Sequence, residues 1–517
     1  MVTVAKIDPR KFRADPGWFG QYALPGFLGS LFMAVGALGV GWFPLSAYIL
    51  QWQLIEYLQT QTLGLALTRS FVVVGAALLL QAWLVVGIDA LQDKITRLET
   101  IYFSFLTWCL PLLFAPPLFS RDVYSYYMQG KLQLSGNNPY ESGVSVVPGW
   151  FQSGVDPLWG DAPTPYGSIF LLIEKAIAFV SGDSALVASY LFRALAVIGV
   201  ILICVNLPAL ARAHGINPIP ALWLGVMNPL IVMHFVAGAH NDAIMVGLIF
   251  LALSFALKKR FIISVVLATI ALAIKPVAIV MLPFLALMAA GSNSNWIRRA
   301  RYATFTGIIS LVTLLAVSVL SGTGAFGWLN SLSTPGAVKS WLSPTTATGL
   351  LIGEIIKILG FGNLVDTSVQ ISRLVGSVFL AGVLILLVLR PAGRSGTRAI
   401  GLSLAALVVL GPVVQPWYLL WSIPLLSATG LTHRQVRIVV LLVAAFTIHG
   451  IANSSATADT FLDLSDGIAM VLAALTIGVA MLASKAERSL ILGDSSEKDL
   501  LPSDFNEVAA AKSMELT

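Results

Sequence analysis

Residues 102–118 read YFSFLTWCLPLLFAPPL, and the chain continues Phe119-Ser120-Arg121-Asp122-Val123-Tyr124-Ser125-Tyr126-Tyr127-Met128-Gln129-Gly130-Lys131. An apolar run of nearly bilayer-spanning length stops at a Pro-Pro pair, because proline lacks the N–H that would carry a helix further. The acid–base pair Arg121-Asp122 is therefore expected at the membrane surface, at the mouth of a helix bundle. The residues that follow are helix-length and carry an aromatic face. A carboxylate in that place can accept a proton from an alcohol, and aromatic rings such as Tyr126 can bind a sugar face. An interfacial salt bridge within an aromatic belt is the competing reading of the same residues.

The rest of the chain repeats the first half of this pattern. Of 517 residues, 57% are apolar and only 11% are charged, far below the roughly 25% charged of a soluble protein. Such a chain is not a cytosolic enzyme, a secreted disulfide scaffold or a nucleic-acid-binding domain. Apolar runs recur at residues 24–44, 71–91, 102–118, 186–210, 221–236, 242–257, 261–290, 302–321, 369–389, 399–429, 436–451 and 466–484. Two of these are too long for one span and carry breaks, at Lys275-Pro276 and at Gly411-Pro412 with Gln415-Pro416, so each is expected to be a hairpin. The expectation is an all-α polytopic membrane protein of about fourteen crossings. The positive-inside rule orients it. With the N-terminus in the cytoplasm, most of the 31 Lys and Arg residues fall on that side, including Lys6, Arg10, Lys11, Lys258, Lys259, Arg298, Arg394 and Arg398.

Three parts follow: a cytoplasmic segment 1–23, a transmembrane unit 24–484, and a disordered cytoplasmic tail 485–517, acidic and Ser-rich from residue 493. Residues 119–185 form a long outer loop rich in aromatic and turn residues, and loops of this length commonly carry function. Within it, residues 166–180 carry Glu174-Lys175 in the middle and read as an amphipathic helix at the outer interface; residues 346–359, interrupted by Glu354, read the same way.

Four motifs together resemble the GT-C superfamily of integral-membrane glycosyltransferases. They are Ser120-Arg121-Asp122-Val123-Tyr124-Ser125-Tyr126, Gly136-Asn137-Asn138-Pro139-Tyr140, Gly238-Ala239-His240-Asn241-Asp242-Ala243 and Gln415-Pro416-Trp417-Tyr418-Leu419-Leu420-Trp421. Thr164-Pro165-Tyr166-Gly167 adds a Pro-Tyr-Gly element ahead of the amphipathic helix. Within that superfamily the chain is most similar to the actinobacterial polyprenol-phosphomannose-dependent α-(1→6)-mannosyltransferases. One departure is the residue beside Asp122: the superfamily often has a second acid in this loop motif, and here it is Arg121.

The resemblance implies a GT-C-like bundle in the plasma membrane with its active site on the extracytoplasmic face. It implies inverting transfer of mannose from polyprenyl-phosphomannose to an α-(1→6)-mannan acceptor of a cell-envelope lipoglycan, the lipomannan or lipoarabinomannan core. The family's loop acid falls on Asp122 as general base, with Asp156 and Asp161 as weaker candidates that read better as turn residues. A donor phosphate needs a cation, for which Lys275 ranks first, then Arg121, Arg193 and Arg373; some of these are expected to pair with Glu174 or Asp366 instead. Sugar or acceptor contacts are expected from Tyr126, Tyr166, His240, Asn241, Asp242, Gln415, Trp417 and Tyr418, with Asn241 or Asp242 also capping the following helix. His234, within an apolar helix, is expected to be a hydrogen-bonded structural residue. No His, Cys or Asp spacing makes a metal cage, so neither metal nor other cofactor is expected. The partners expected are the lipid donor, the mannan acceptor and the bilayer, with no nucleic acid.

A lipid-linked sugar flippase or secondary transporter is the alternative, since transporters also bind substrates at broken helices. Against it, the charges cluster at the outer surface, an ordered outer loop opens with an acid, and no paired halves repeat. Transfer of another polyprenyl-phosphate-linked sugar, such as arabinofuranose, stays open.

Overall fold

The computed structural model describes residues 13–331, 334–390, 395–452, 475–479 and 481–492. Four expectations therefore fall wholly or largely outside the described residues: the N-terminal charges Lys6, Arg10 and Lys11, the loop charge Arg394, most of the last apolar run, and the tail from 493 onward. Among the described residues there is helix and no strand. The helices are α1 (Leu24–Val40), α2 (Gln53–Thr60), α3 (Thr62–Leu91), α4 (Leu98–Leu113), α5 (Asp122–Leu134), α6 (Ser168–Ser181), α7 (Ala185–Ala213), α8 (Pro218–Gly225) and α9 (Asp242–Leu257). They continue with α10 (Phe261–Leu272), α11 (Leu282–Ala290), α12 (Trp296–Ser321), α13 (Pro344–Ile358), α14 (Val365–Leu389), α15 (Gly396–Leu410), α16 (Ile423–Ala428) and α17 (His433–Ala452). Residues Lys485–Leu492, expected in the tail, form a further helix against α3 and α17.

Six of the described helices are long and apolar enough to cross a membrane, or seven if the bent pair Ile231–Ala237 with Asp242–Leu257 is one span. The expected count of about fourteen is not reached by this measure. Several of the apolar runs fold as shorter pieces. Leu98–Leu113, Phe261–Leu272, Pro276–Ala290 and Gly396–Leu410 are apolar but short. At 1.5 Å per residue, 12 to 16 residues cover roughly 18–24 Å of a hydrocarbon layer about 30 Å thick.

Both long runs break where proline interrupts them. In the first, Lys275 is extended between α10 and the 3₁₀ turn Pro276–Met281; in the second, Gln415 is extended between α15 and the 3₁₀ turn Pro416–Trp421. Helix packing uses small residues. α1 lies directly on α3, with a Cβ on Gly29 falling 2.7 Å from the Gly75 carbonyl oxygen, the close backbone approach typical of membrane helices. α3 and α8 are locked by Trp83 and Trp223, each indole donating to the other's backbone carbonyl at 3.1 and 2.7 Å. By contrast α12 and α14 present mostly exposed Leu, Ile, Val and Phe side chains, as lipid-facing helices do.

Candidate active site

Four segments far apart in sequence meet at one place, and backbone contacts explain why. The first is the turn into α5. Residues 114–121 leave α4 through Pro116-Pro117, and Phe119 takes a positive φ of 69° before Asp122 opens α5. The second is the turn between the π-helical segment Ile231–Ala237 and α9, where Ala239 has φ 53°. A non-glycine residue in this region is strained by about 1 kcal/mol or more and persists only where its surroundings fix it. Arg193, on α7 and buried, supplies that fixation. Its guanidinium donates to the Leu113 and Ala115 carbonyls at 3.0 and 2.6 Å and to the Val236 and Ala237 carbonyls at 3.0 and 3.1 Å. One planar fork thus satisfies carbonyls that helix ends leave orphaned, on both strained turns at once.

The third segment is the Thr164-Pro165-Tyr166-Gly167 turn, which docks on the break between α10 and α11. Gly167 N donates to Ile274 O at 3.2 Å and Ile169 N to Ala273 O at 2.9 Å. A Cβ on Gly167 would fall 2.4 Å from the Ala273 oxygen, so only glycine allows this approach. The Asn137-to-Tyr140 motif braces the same turn: Thr164 N donates to Pro139 O at 2.9 Å and the Tyr140 hydroxyl to Tyr166 O at 2.9 Å. Tyr166 is thereby placed over Lys275. The fourth segment is the 416–421 turn, which brings Trp417, Tyr418 and Trp421.

The resulting cluster has two charged centres. At one, Lys275 Nζ donates to both carboxylate oxygens of Asp242 at 2.8 Å, and Trp421 Nε1 donates to the same Asp242. The ammonium sits between aromatic faces, 5.2 Å from the Tyr418 ring, 5.5 Å from Trp421 and 5.9 Å from Tyr166, within cation–π range. At the other, Asp122 Oδ2 is 3.4 Å from His240 Nδ1, and the imidazole stacks on Trp417 with centroids 3.7 Å apart. Asp122 opens α5, outside the helices long and apolar enough to cross a membrane, and burial alone would raise its carboxyl. His240, Lys275 and Ser120 outweigh that and hold it below the ordinary carboxylate range. Tyr126 and Tyr166 are pushed well above the usual phenol range by burial, with nearby carboxylates adding to the effect.

Exposure divides the expected contacts into two shells. Asp122, Tyr166, Lys275, Gln415 and Tyr418 are part-exposed, whereas Tyr126, His240, Asn241, Asp242 and Trp417 are buried behind them. Neither Asn241 nor Asp242 caps α9 through its side chain; Asp242 is spent on Lys275 and Trp421, and both ends of the Asn241 amide lack a hydrogen-bond partner among the described residues.

The remaining cations are engaged elsewhere. Arg121 donates to Gly154 O and Val155 O at 2.8 Å each and lies 4.5 Å from the Trp42 ring. Arg373 donates to Thr346 Oγ1, Gly336 O and Val338 O at 2.7–2.8 Å. Asp366 pairs with Lys339 at 2.6 Å and not with an arginine. Glu174, expected on an interfacial face with an arginine partner, is buried, and neither carboxyl oxygen has a hydrogen-bond partner among the described residues. Its burial on α6 follows from close packing against α5, where Gly130 leaves room for the Glu174 backbone. The same burial pushes its carboxyl well above the ordinary range. Asp156 accepts from Leu158 N two residues on, as a turn residue does, whereas Asp161 accepts from the Ser145 hydroxyl sixteen residues before it.

Two residues at the site escaped the sequence reading. Trp421 closes the aromatic box and bonds Asp242; its place in the Gln415-to-Trp421 motif, one 3₁₀ turn beyond Tyr418, was the available signal. His234 has neither ring nitrogen hydrogen-bonded among the described residues, contrary to the expected structural bond, and its ring is 5.6 Å from that of Trp417. An apolar helical context gave no sign that it faces the cluster.

Comparison with known proteins adds the following. A family model described as "Alpha-(1->6)-mannopyranosyltransferase, N-terminal domain" matches residues 23–291, and one described as "MptB C-terminal domain" matches residues 345–483. A Mycolicibacterium smegmatis protein named "Probable alpha-(1->6)-mannopyranosyltransferase" is 32% identical, covering 87% of this chain and 86% of its own. An alpha-(1->6)-mannopyranosyltransferase of Mycobacterium tuberculosis is 31% identical over 84% of this chain and 82% of its own. Alpha-(1->6)-mannopyranosyltransferase A of Corynebacterium glutamicum is 29% identical over 68% of this chain and 77% of its own. No solved structure matches the chain.

Proposed function

The chain belongs to the alpha-(1->6)-mannopyranosyltransferase family, and from that premise we propose that it transfers mannose from polyprenyl-phosphomannose to an α-(1→6)-mannan acceptor of a cell-envelope lipoglycan, with inversion. The observation that carries the proposal is the pairing of two part-exposed groups in one aromatic cluster: the Asp122 carboxylate, held ionised, and the Lys275 ammonium. Base and cation are what in-line displacement at a phosphate-linked anomeric carbon requires.

In the proposed step, Asp122 accepts the proton of the acceptor hydroxyl as its oxygen bonds to the anomeric carbon. The bond from that carbon to the phosphate oxygen breaks, and its electron pair leaves with the polyprenyl phosphate. Lys275, with two of its three N–H donors on Asp242, has the third to offer the leaving phosphate as negative charge develops there. Arg121, Arg193 and Arg373, ranked behind it at the outset, spend their donors on backbone carbonyls and a threonine hydroxyl, which supports scaffolding roles for them. The part-exposed rings of Tyr166 and Tyr418 are suited to the sugar faces, and Gln415 to a hydroxyl. His240, Asn241 and Asp242 shape the site from behind. The apolar helices support a membrane location; the positive-inside pattern supports an extracytoplasmic site in the plasma membrane.

The direct test is a vesicle assay of the purified protein with radiolabelled polyprenyl-phosphomannose and a short α-(1→6)-mannoside. The proposal expects an elongated product whose new linkage is α-(1→6). Movement of the lipid-linked sugar across the bilayer with no product would support the flippase reading instead.

A further inference from the structure

We propose that His240 is the positioning residue for Asp122, and that it acts through that carboxylate and not as a ligand of the sugar. The inference rests on Asp122 being the base.

Two contacts hold the imidazole, and a strained turn precedes it. One face stacks on Trp417, with centroids 3.7 Å apart and planes 21° from parallel. The other side runs against the Gly238 backbone, so close that a Cβ there would be 3.1 Å from the imidazole Cδ2 and 2.8 Å from the His234 carbonyl oxygen. Ala239, the residue before His240, holds the strained φ of 53°, and Arg193 holds the carbonyl of Ala237. Nδ1 lies 3.4 Å from Asp122 Oδ2, within ion-pair distance, and neither ring nitrogen has a hydrogen-bond partner among the described residues. A contact of this length in a substrate-free site typically tightens when the complex forms.

Exposure separates the two roles. His240 is 0% exposed, while the Asp122 side chain is 21% exposed. A sugar can reach the carboxylate but not the imidazole. With His240 Nδ1 beside Oδ2, Oδ1 is the oxygen left for the acceptor hydroxyl. The other groups within electrostatic reach of Asp122 are Lys275 from the α10–α11 break, Tyr126 from α5 itself, Tyr166 from the docked turn and Tyr418 from the 416–421 turn. Tyrosines do not titrate near neutrality, which leaves Lys275, with its partner Asp242, as the charged neighbours beside the imidazole.

The experiment compares His240→Phe, His240→Ala and His240→Asn in the full-length protein. Phe keeps a ring on Trp417 but has no donor, Ala removes both with no steric demand, and Asn places an amide N–H near the position of Nδ1. Phe and Ala are expected to lose about 10²-fold in kcat, the scale of a misplaced catalytic group, with acceptor KM little changed. The acid limb of the pH–rate profile should move to higher pH, because Asp122 loses a partner that favours its ionised form. Asn should recover most of the kcat and the original limb. A raised acceptor KM with kcat preserved would make His240 a sugar ligand and overturn the inference. So would a fall in kcat with the acid limb unmoved, which marks a purely structural role. Failure of the base assignment would show separately, as turnover by Asp122→Asn.

Discussion

Lys275 donates to both carboxylate oxygens of Asp242 at 2.8 Å, and Asp242 is wholly buried. Removing the ammonium therefore does more than remove a phosphate contact: it leaves a buried carboxylate without its counter-charge. Breaking one side of a buried pair costs about 3–5 kcal/mol, whereas removing both charges can be nearly neutral. Lys275→Ala is accordingly expected to melt at a markedly lower temperature, and Lys275→Ala with Asp242→Asn to regain most of that loss. Donor KM should stay high in both. A double variant with restored stability and wild-type donor KM would release Lys275 from the phosphate role.

Arg193 joins the two strained turns that carry Asp122 and His240. Lysine keeps the charge but cannot reproduce a planar fork to four carbonyls. Hydrogen bonds to a charged group are worth about 1.5–3 kcal/mol each, and those left unmade inside the protein cost more. Arg193→Lys is expected to lose about 3 kcal/mol or more in thermal or denaturant unfolding. Its kcat should fall as both turns slacken, with donor KM little changed. A rise in donor KM as the main effect would mark Arg193 as a phosphate ligand.

Much of the site was legible because its parts interrupt apolar runs. Pro116-Pro117, Lys275-Pro276 and Gln415-Pro416 are breaks that an uninterrupted span does not tolerate, and Asp122, His240 and Asp242 are costly polar residues at the ends of such runs. What sequence could not supply is partner choice. Arg193 finds carbonyls about 80 residues before it and about 43 after it, a matter of three-dimensional placement. Glu174 was read from its own helix as facing an interface, but burial depends on the neighbour, and α5 covers it. Hydropathy likewise registers apolar character and not where a helix ends, so the apolar runs do not map one to one onto long helices.

The sign of the pH dependence follows from Asp122. Its folded-state carboxyl is depressed, so the working ionised form is present at neutral pH and is lost as pH falls through that lowered value. The acid limb of kcat/KM for the acceptor should therefore lie below about 3.9, the ordinary Asp value, for as long as the protein stays folded. An acid limb near 6.5 would assign the essential base to a histidine.

Orientation is checked by labelling intact cells. Gln152, exposed in the 119–185 segment, and Lys258, exposed beyond α9, should fall on opposite sides of the membrane. A cysteine at Gln152 should react with an impermeant maleimide, and one at Lys258 only after permeabilisation. The reverse pattern would place the site on the cytoplasmic face.

The central claim is that Asp122 takes the proton of the acceptor, and Asp122→Asn tests it most directly. Asparagine keeps the shape at the start of α5 but cannot accept that proton. Loss of a positioned base typically costs about 10²–10⁴-fold in rate. The measurement is mannosyl transfer from polyprenyl-phosphomannose to an α-(1→6)-mannoside by the purified variant, alongside its donor affinity and melting temperature. The account predicts a loss of that size in kcat with donor binding and folding retained. Near wild-type turnover by Asp122→Asn would contradict it.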